Sequence, residues 1–140
     1  MSEFIIALHA LVFLAHDGLS KSSEELSENL CTNSVRIRKV MSLCKKNGLV
    51  ETKSGVNGGY MIGKDGKNIN LKQIYEAVDI TLLESKWHSG NIESDCPYCA
   101  YMGRYVDGLF SYINKEAFSI LEKITIADVE NDIKKMAENR

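Results

Sequence analysis

The stretch from Ser22 to Tyr60, SSEELSENLCTNSVRIRKVMSLCKKNGLVETKSGVNGGY, constrains the fold of this chain more than any other. Ser22 followed by Glu25 is a capping-box pattern, and Leu26 and Leu30 form an i, i+4 apolar pair behind it, so a helix is expected over Ser22–Leu30. Cys31-Thr32-Asn33 reads as a tight turn, with Thr32 or Asn33 as N-cap of the next helix. That helix is expected from Ser34 to Asn47, with Val35, Val40, Leu43 and Cys44 on its buried side and Gly48 as its stop. Leu49, Val50 and Glu51 start a strand. Gly55-Val56-Asn57-Gly58-Gly59 is a turn of residues that tolerate positive φ, and Tyr60, Met61 and Ile62 return.

Helix, turn, helix and glycine-rich hairpin in that order is the plan of a winged helix-turn-helix, which lays one helix in the major groove of DNA. The formal net charge of −2 does not announce a nucleic-acid binder, but its distribution is uneven. Arg36, Arg38, Lys39, Lys45, Lys46 and Lys53 lie between Thr32 and Lys53 against Glu51 alone. Local charge governs binding to a polyanion better than the sum does. The competing reading is a solvated basic helix face. Arg36 and Lys39, three apart, share one face, and residues in the first turns of such a helix reach base edges while later cations meet phosphates. Ser34, Arg36 and Lys39 are therefore assigned to the groove, Arg38 and Lys45 to phosphates, and Lys53, Ser54 and Asn57 to the tip of the wing. A glycine-rich turn also suits a nucleotide phosphate, but that use needs a helix leading out, and here a strand is expected.

The rest of the chain reads as support. With 140 residues and 44% hydrophobic composition it suffices for a domain with a core. No run approaches the ~20 apolar residues of a membrane span, and the N-terminus, carrying Glu3 and His9, reads as an amphipathic helix rather than a signal peptide, so a cytoplasmic protein is expected. That first helix runs over Met1–His16 with Phe4, Leu8, Leu11, Val12 and Ala15 on one face. His9 and His16 have no ligand partner nearby and read as surface residues. A further helix is expected over Ile69–Ile80, then an irregular stretch to Asp95 in which Trp87 anchors the core or a subunit interface. From Cys96 to Lys123 a helical phase holds through Met102, Val106, Leu109, Ile113 and Ile120, a span of about 40 Å that needs an apolar partner, most simply a second copy of itself. Thr125 caps a last helix to about Glu138. The organisation expected is thus 1–80 for DNA binding, 81–95 as connector, and 96–140 for dimerisation: mainly α with a small β-hairpin.

Cys96-Pro97-Tyr98-Cys99 is the second informative stretch. Pro97 suits the first position of a helix, which makes Cys96 its N-cap and exposes the thiol to the positive end of the helix dipole. The same four residues occur in glutaredoxins, but that fold puts the motif after an early strand and opposes it with a second, cis proline, whereas Pro97 is the sole proline here. No enzyme is expected.

Taken together, FIIALHALVFLA, SSEEL, NSVRIRKVMSLCKKNGLV, GVNGGY and INLKQIYEAV resemble in order and spacing the Rrf2 family of bacterial transcription regulators, over Phe4 to Val78. The resemblance implies a winged helix-turn-helix, a long dimerisation helix, a homodimer on a palindromic double-stranded operator, and sensing of redox, nitric oxide or iron–sulfur status. Ser54 stands where many members carry arginine, which implies a weaker wing, and Cys44 stands at a usual leucine, which implies a buried, inert thiol. Cluster-binding members have three cysteines where this chain has Cys96 and Cys99, so no cofactor and no metal is expected. An iron–sulfur centre is the alternative, with Cys31 or His88 recruited. Resemblance to thiol-sensing members implies instead that Cys31, Cys96 and Cys99 are redox-sensing, with Cys31 of one subunit joined to Cys99 or Cys96 of the other, and repression in the reduced state.

Overall fold

The computed structural model describes residues 1–63 and 66–140, and bears out a mainly helical chain with one two-stranded hairpin. The described residues form two units, Met1–Ile80 with Leu121–Arg140, and Thr81–Ile120.

In the first unit, α1 (Ser2–Asp17) ends at Gly18, whose φ of 71° lets its N–H reach the carbonyl of Leu14. Phe4, Ala7, Leu11 and Leu14 point into the core, and the Phe4 ring stacks on Tyr75 with centroids 3.9 Å apart. Leu8 and Val12 are only half-buried; with Val129 and Ile133 they line an open apolar groove. The core is closed by Leu26 of α2 (Ser23–Leu30), Ile37 and Met41 of α3 (Ser34–Lys46), Ile74 of α4 (Leu71–Ala77) and Ile126 of α6 (Ile126–Glu138). Three of these helices begin with a reciprocal capping box: Ser22 with Glu25, Asn70 with Gln73, and Thr125 with Asp128. The last two caps also pair with each other. Leu71 N donates to Ile124 O and Ile126 N to Ile69 O, both at 2.9 Å. This two-bond bridge stitches residues 121–140 to the first eighty, although they follow the long helix in the chain.

The hairpin comprises β1 (Val50–Lys53) and β2 (Gly59–Ile62), antiparallel, with Val50 opposite Ile62 and Lys53 opposite Gly59. Val50 is buried while Glu51, Thr52 and Lys53 are exposed, so the strand is anchored at its root and free at its tip.

In the second unit, an irregular strap from Thr81 lies along α5 (Pro97–Glu122). The Asn114 amide pairs with both backbone groups of Leu83, each at 2.9 Å. His88 Nε2 meets Asp107 Oδ1 at 2.8 Å, its ring lying where a Cβ on Gly103 would be. Asn91 N donates to Cys99 O at 2.9 Å, and Gly90, at φ 79°, sits so close to that carbonyl that no side chain fits. Trp87 is 78% exposed, so of the two roles expected of it, anchoring this chain's core is excluded and the subunit interface is left. Along α5 only Ala100 and Gly103 are buried, while Tyr105 and Tyr112 are 72% and 64% exposed.

Candidate nucleic-acid interface

The helix at the centre of the candidate interface is α3. Its N-cap is Asn33, of the two residues the sequence allowed, and the Asn33 side chain accepts from the backbone N–H of Arg36 at 2.9 Å. Ile37, Val40, Met41 and Cys44 hold the buried side at helical spacing. That fixes the rotation of the helix and turns Arg36, Arg38, Lys39, Lys45 and Lys46 out to solvent, with Ser34 half-buried in the first turn. Arg38 Nη1 leans back to Ser23 Oγ at 3.4 Å, which ties it to the start of α2. Arg36 and Lys39 make no such contact among the described hydrogen bonds and ion pairs. Val35, assigned to the core from sequence, is 67% exposed, because at ~100° per residue it stands about 140° from Val40. It lies in the first turn beside Arg36, an apolar member of the face that pattern reasoning missed. An N-terminal valine followed by a cationic pair was the available signal.

The hairpin carries the second set of candidate groups. Lys53, Ser54 and Asn57 are all exposed at its tip. Lys53 and Asn57 line one polar cleft with Ser20 and Ser22, and Ser20 Oγ donates to Asn57 O at 2.5 Å. Further down, Lys21 pairs with Tyr60 through both backbone groups, at 2.9 and 2.8 Å. Gly59, at φ 147°, is pressed against the Lys21 carbonyl, where a Cβ would overlap. The residue entering α2 thus extends the hairpin by one antiparallel position. Lys21 is the one buried charged side chain among the described residues, a feature that sequence gave no reason to expect.

The thiols differ sharply in setting. Cys44 is fully buried and burial pushes its thiol up to about 12, so it is protonated and inert at neutral pH. Cys31 is exposed at the C-cap of α2, in the left-handed region with φ 55° and ψ 44°, two residues before the N-cap of α3. Among the described residues its Sγ reaches only the carbonyl of Glu28, at 3.6 Å. Ser27 Oγ donates to the carbonyl of Thr32 and helps hold this turn. In the second unit, Cys96 is exposed and Cys99 half-buried. The helix begins at Pro97, and Ala100 N donates to Cys96 O at 3.0 Å, so Cys96 occupies the N-cap position expected.

Among the described residues no three His, Cys, Asp or Glu side chains converge in a way that would hold a metal ion. His88 is paired with Asp107. Among the described residues, Cys96 and Cys99 are the two thiol donors of the second unit, fewer than an iron–sulfur cluster takes from its protein. No helix among the described residues is long and apolar enough to cross a membrane.

Residues 1–132 match the family model Rrf2, described as iron-dependent transcriptional regulator. YwnA of Bacillus subtilis strain 168, named as an HTH-type transcriptional regulator, is 27% identical over 132 residues, covering 94% of this chain and 97% of YwnA. A crystal structure of a transcriptional regulator from Lactobacillus plantarum superposes with a TM-score of 0.80 at 27% identity, over 94% of this chain and 89% of that one. CymR, the global cysteine regulator of B. subtilis, shares the fold with a TM-score of 0.68 at 18% identity, over 94% of this chain and 95% of CymR.

Proposed function

Because this chain belongs to the Rrf2 family of transcription regulators, we propose that it is a redox-responsive repressor that binds a palindromic operator as a homodimer in the cytoplasm. The observation that carries the reading is the coincidence, on neighbouring elements, of an exposed cationic face on α3 and an exposed thiol at the turn leading into it. Arg36 and Lys39 read base edges, with Ser34 beside them and Val35 placed to meet a thymine methyl group. Arg38 and Lys45 take phosphates, and Lys53, Ser54 and Asn57 contact the backbone from the wing. The dimer is supported by α5, which presents Tyr98, Tyr105, Tyr112 and Ile120 to solvent along a helix of 26 residues, more apolar surface than a monomer normally leaves open.

Cys31, Cys96 and Cys99 are the sensing residues. A two-electron oxidant such as a peroxide takes two electrons and two protons from a pair of thiols, and a sulfur–sulfur bond forms between Cys31 of one subunit and Cys99 of the other. The bond requires their Cα atoms within about 7 Å and so draws the turn before α3 toward the partner. The two reading helices then lose the spacing of about 34 Å that one turn of DNA demands, and the operator is released.

Arg36→Ala tests the reading face. Its affinity for a duplex selected by the wild-type protein from a random pool should fall by ~1–3 kcal/mol, and discrimination at one base position should relax. An unchanged affinity would take Arg36 out of the interface.

A further inference from the structure

A lysine is an expensive residue to bury, and Lys21, only 6% exposed, is held by every part of itself. Its backbone N–H and C=O both pair with Tyr60 of β2. Its Nζ sits 2.9 Å from each carboxylate oxygen of Asp17, in the last turn of α1, and 4.8 Å from the centroid of the Phe13 ring, one turn earlier. The Asp17 carboxylate is fixed in turn by the backbone N–H of Leu19 at 3.0 Å. That hydrogen bond first, and the Lys21 ammonium second, hold its carboxyl below the usual aspartate value. Gly59 has no side chain where β2 meets the backbone of Lys21, so the wing lies flush on the Lys21 carbonyl.

We infer that Lys21 is a positioning residue for the wing: clamped to Asp17 and Phe13, it sets the angle at which the hairpin leaves the domain and so decides whether Lys53 reaches the DNA. An apolar side chain would fill the same space without the desolvation penalty, and such replacements of buried charges are often neutral or stabilising. What the apolar side chain lacks is direction. The ammonium with two oxygens and a ring face has one preferred location, whereas a thioether or alkyl chain slides. Lys21 itself does not touch the nucleic acid; it acts through the two backbone bonds to Tyr60. The inference rests on the placement of Lys53 at the interface made above.

The test is a double-mutant cycle on full-length protein, using the duplex selected by the wild type from a random pool. In the wild-type background, Lys53→Ala should lower affinity several-fold and reduce the slope of log K against log salt by roughly 0.9, the loss of one phosphate contact. Lys21→Met should melt within a few degrees of the wild type, lose affinity by a similar factor, and show the reduced slope already. Lys53→Ala added to it should then change neither affinity nor slope. Lys21→Met combined with Asp17→Asn, which removes both charges of the clamp at once, should behave as Lys21→Met and decides the matter if the single variant does not fold. An equal loss on Lys53→Ala in both backgrounds would overturn the role of Lys21 while leaving the wing in the interface. No loss on Lys53→Ala in the wild type would remove the wing from the interface and Lys21's role with it.

Discussion

At the scale of single residues, the turn between α2 and α3 holds one of the two non-glycine residues with positive φ among the described residues, the other being Asp79. Cys31 adopts φ 55°, a region where a residue with a Cβ is worse off by ~1–2 kcal/mol and where glycine is the usual occupant. Thr32 and Asn33, its neighbours, are conventional, so the strain belongs to Cys31 alone. Replacing Cys31 by glycine relieves it, less what glycine forfeits in the unfolded chain, and is expected to stabilise the protein by up to ~1 kcal/mol in urea unfolding. A lower stability would show that the thiol contributes packing that its exposure does not suggest. Retention of a strained cysteine where glycine is easier accords with a thiol kept for its chemistry. Cys44 is the opposite case: it fills the core, and burial holds it protonated.

At the scale of elements, what was legible in the sequence was local. The box of Ser22 and Glu25 sits within four residues, and Asn33, Gly48 and Pro97 mark helix ends by their own backbone chemistry, so each was readable from its neighbours. What was not legible came from contacts distant in sequence. Val35 is apolar but faces outward because Ile37 and Met41, rather than Leu43, set the phase of α3. Leu8 and Val12 looked like the centre of the α1 face and instead border a groove, because α6 arrives from the far end of the chain. Lys21 is buried through its pairing with Tyr60, a contact that nothing adjacent to it in sequence announces. The same long-range packing joins α1 to α6 through His16 Nδ1 and Glu130 Oε1 at 2.8 Å. That hydrogen bond, aided by Lys134, lowers the Glu130 carboxyl below its ordinary 4.5. A carboxylate whose folded value is lowered contributes stability that is full above the unfolded value and is lost as pH falls through the folded one. Thermal stability should therefore decline as the pH drops below about 4.5, and Glu130→Gln should flatten that decline. An acid limb as steep as in the wild type would mean the His16–Glu130 pair contributes nothing in solution.

At the scale of the whole molecule, the chain carries both the proposed DNA-reading unit and a helix with an exposed apolar face. The reduced protein should sediment at twice the 15.7 kDa of the chain at micromolar concentration, and a double substitution of Tyr105 and Tyr112 by glutamate, on the exposed side of α5, should return it to monomer with the DNA-reading unit still folded. A wild-type protein that remained monomeric would leave that face unexplained and the palindromic operator without a basis. The central claim is that oxidation of Cys31 controls operator binding, and it is tested most directly by measuring affinity for one selected duplex before and after stoichiometric peroxide, for the wild type and for Cys31→Ser. The wild type should lose at least tenfold in affinity on oxidation, regain it with thiol reductant, and yield a Cys31–Cys99 linked peptide between subunits, while Cys31→Ser binds equally in both states. A wild type whose affinity ignores oxidation, or a Cys31→Ser variant that releases DNA as fully as the wild type, would contradict it.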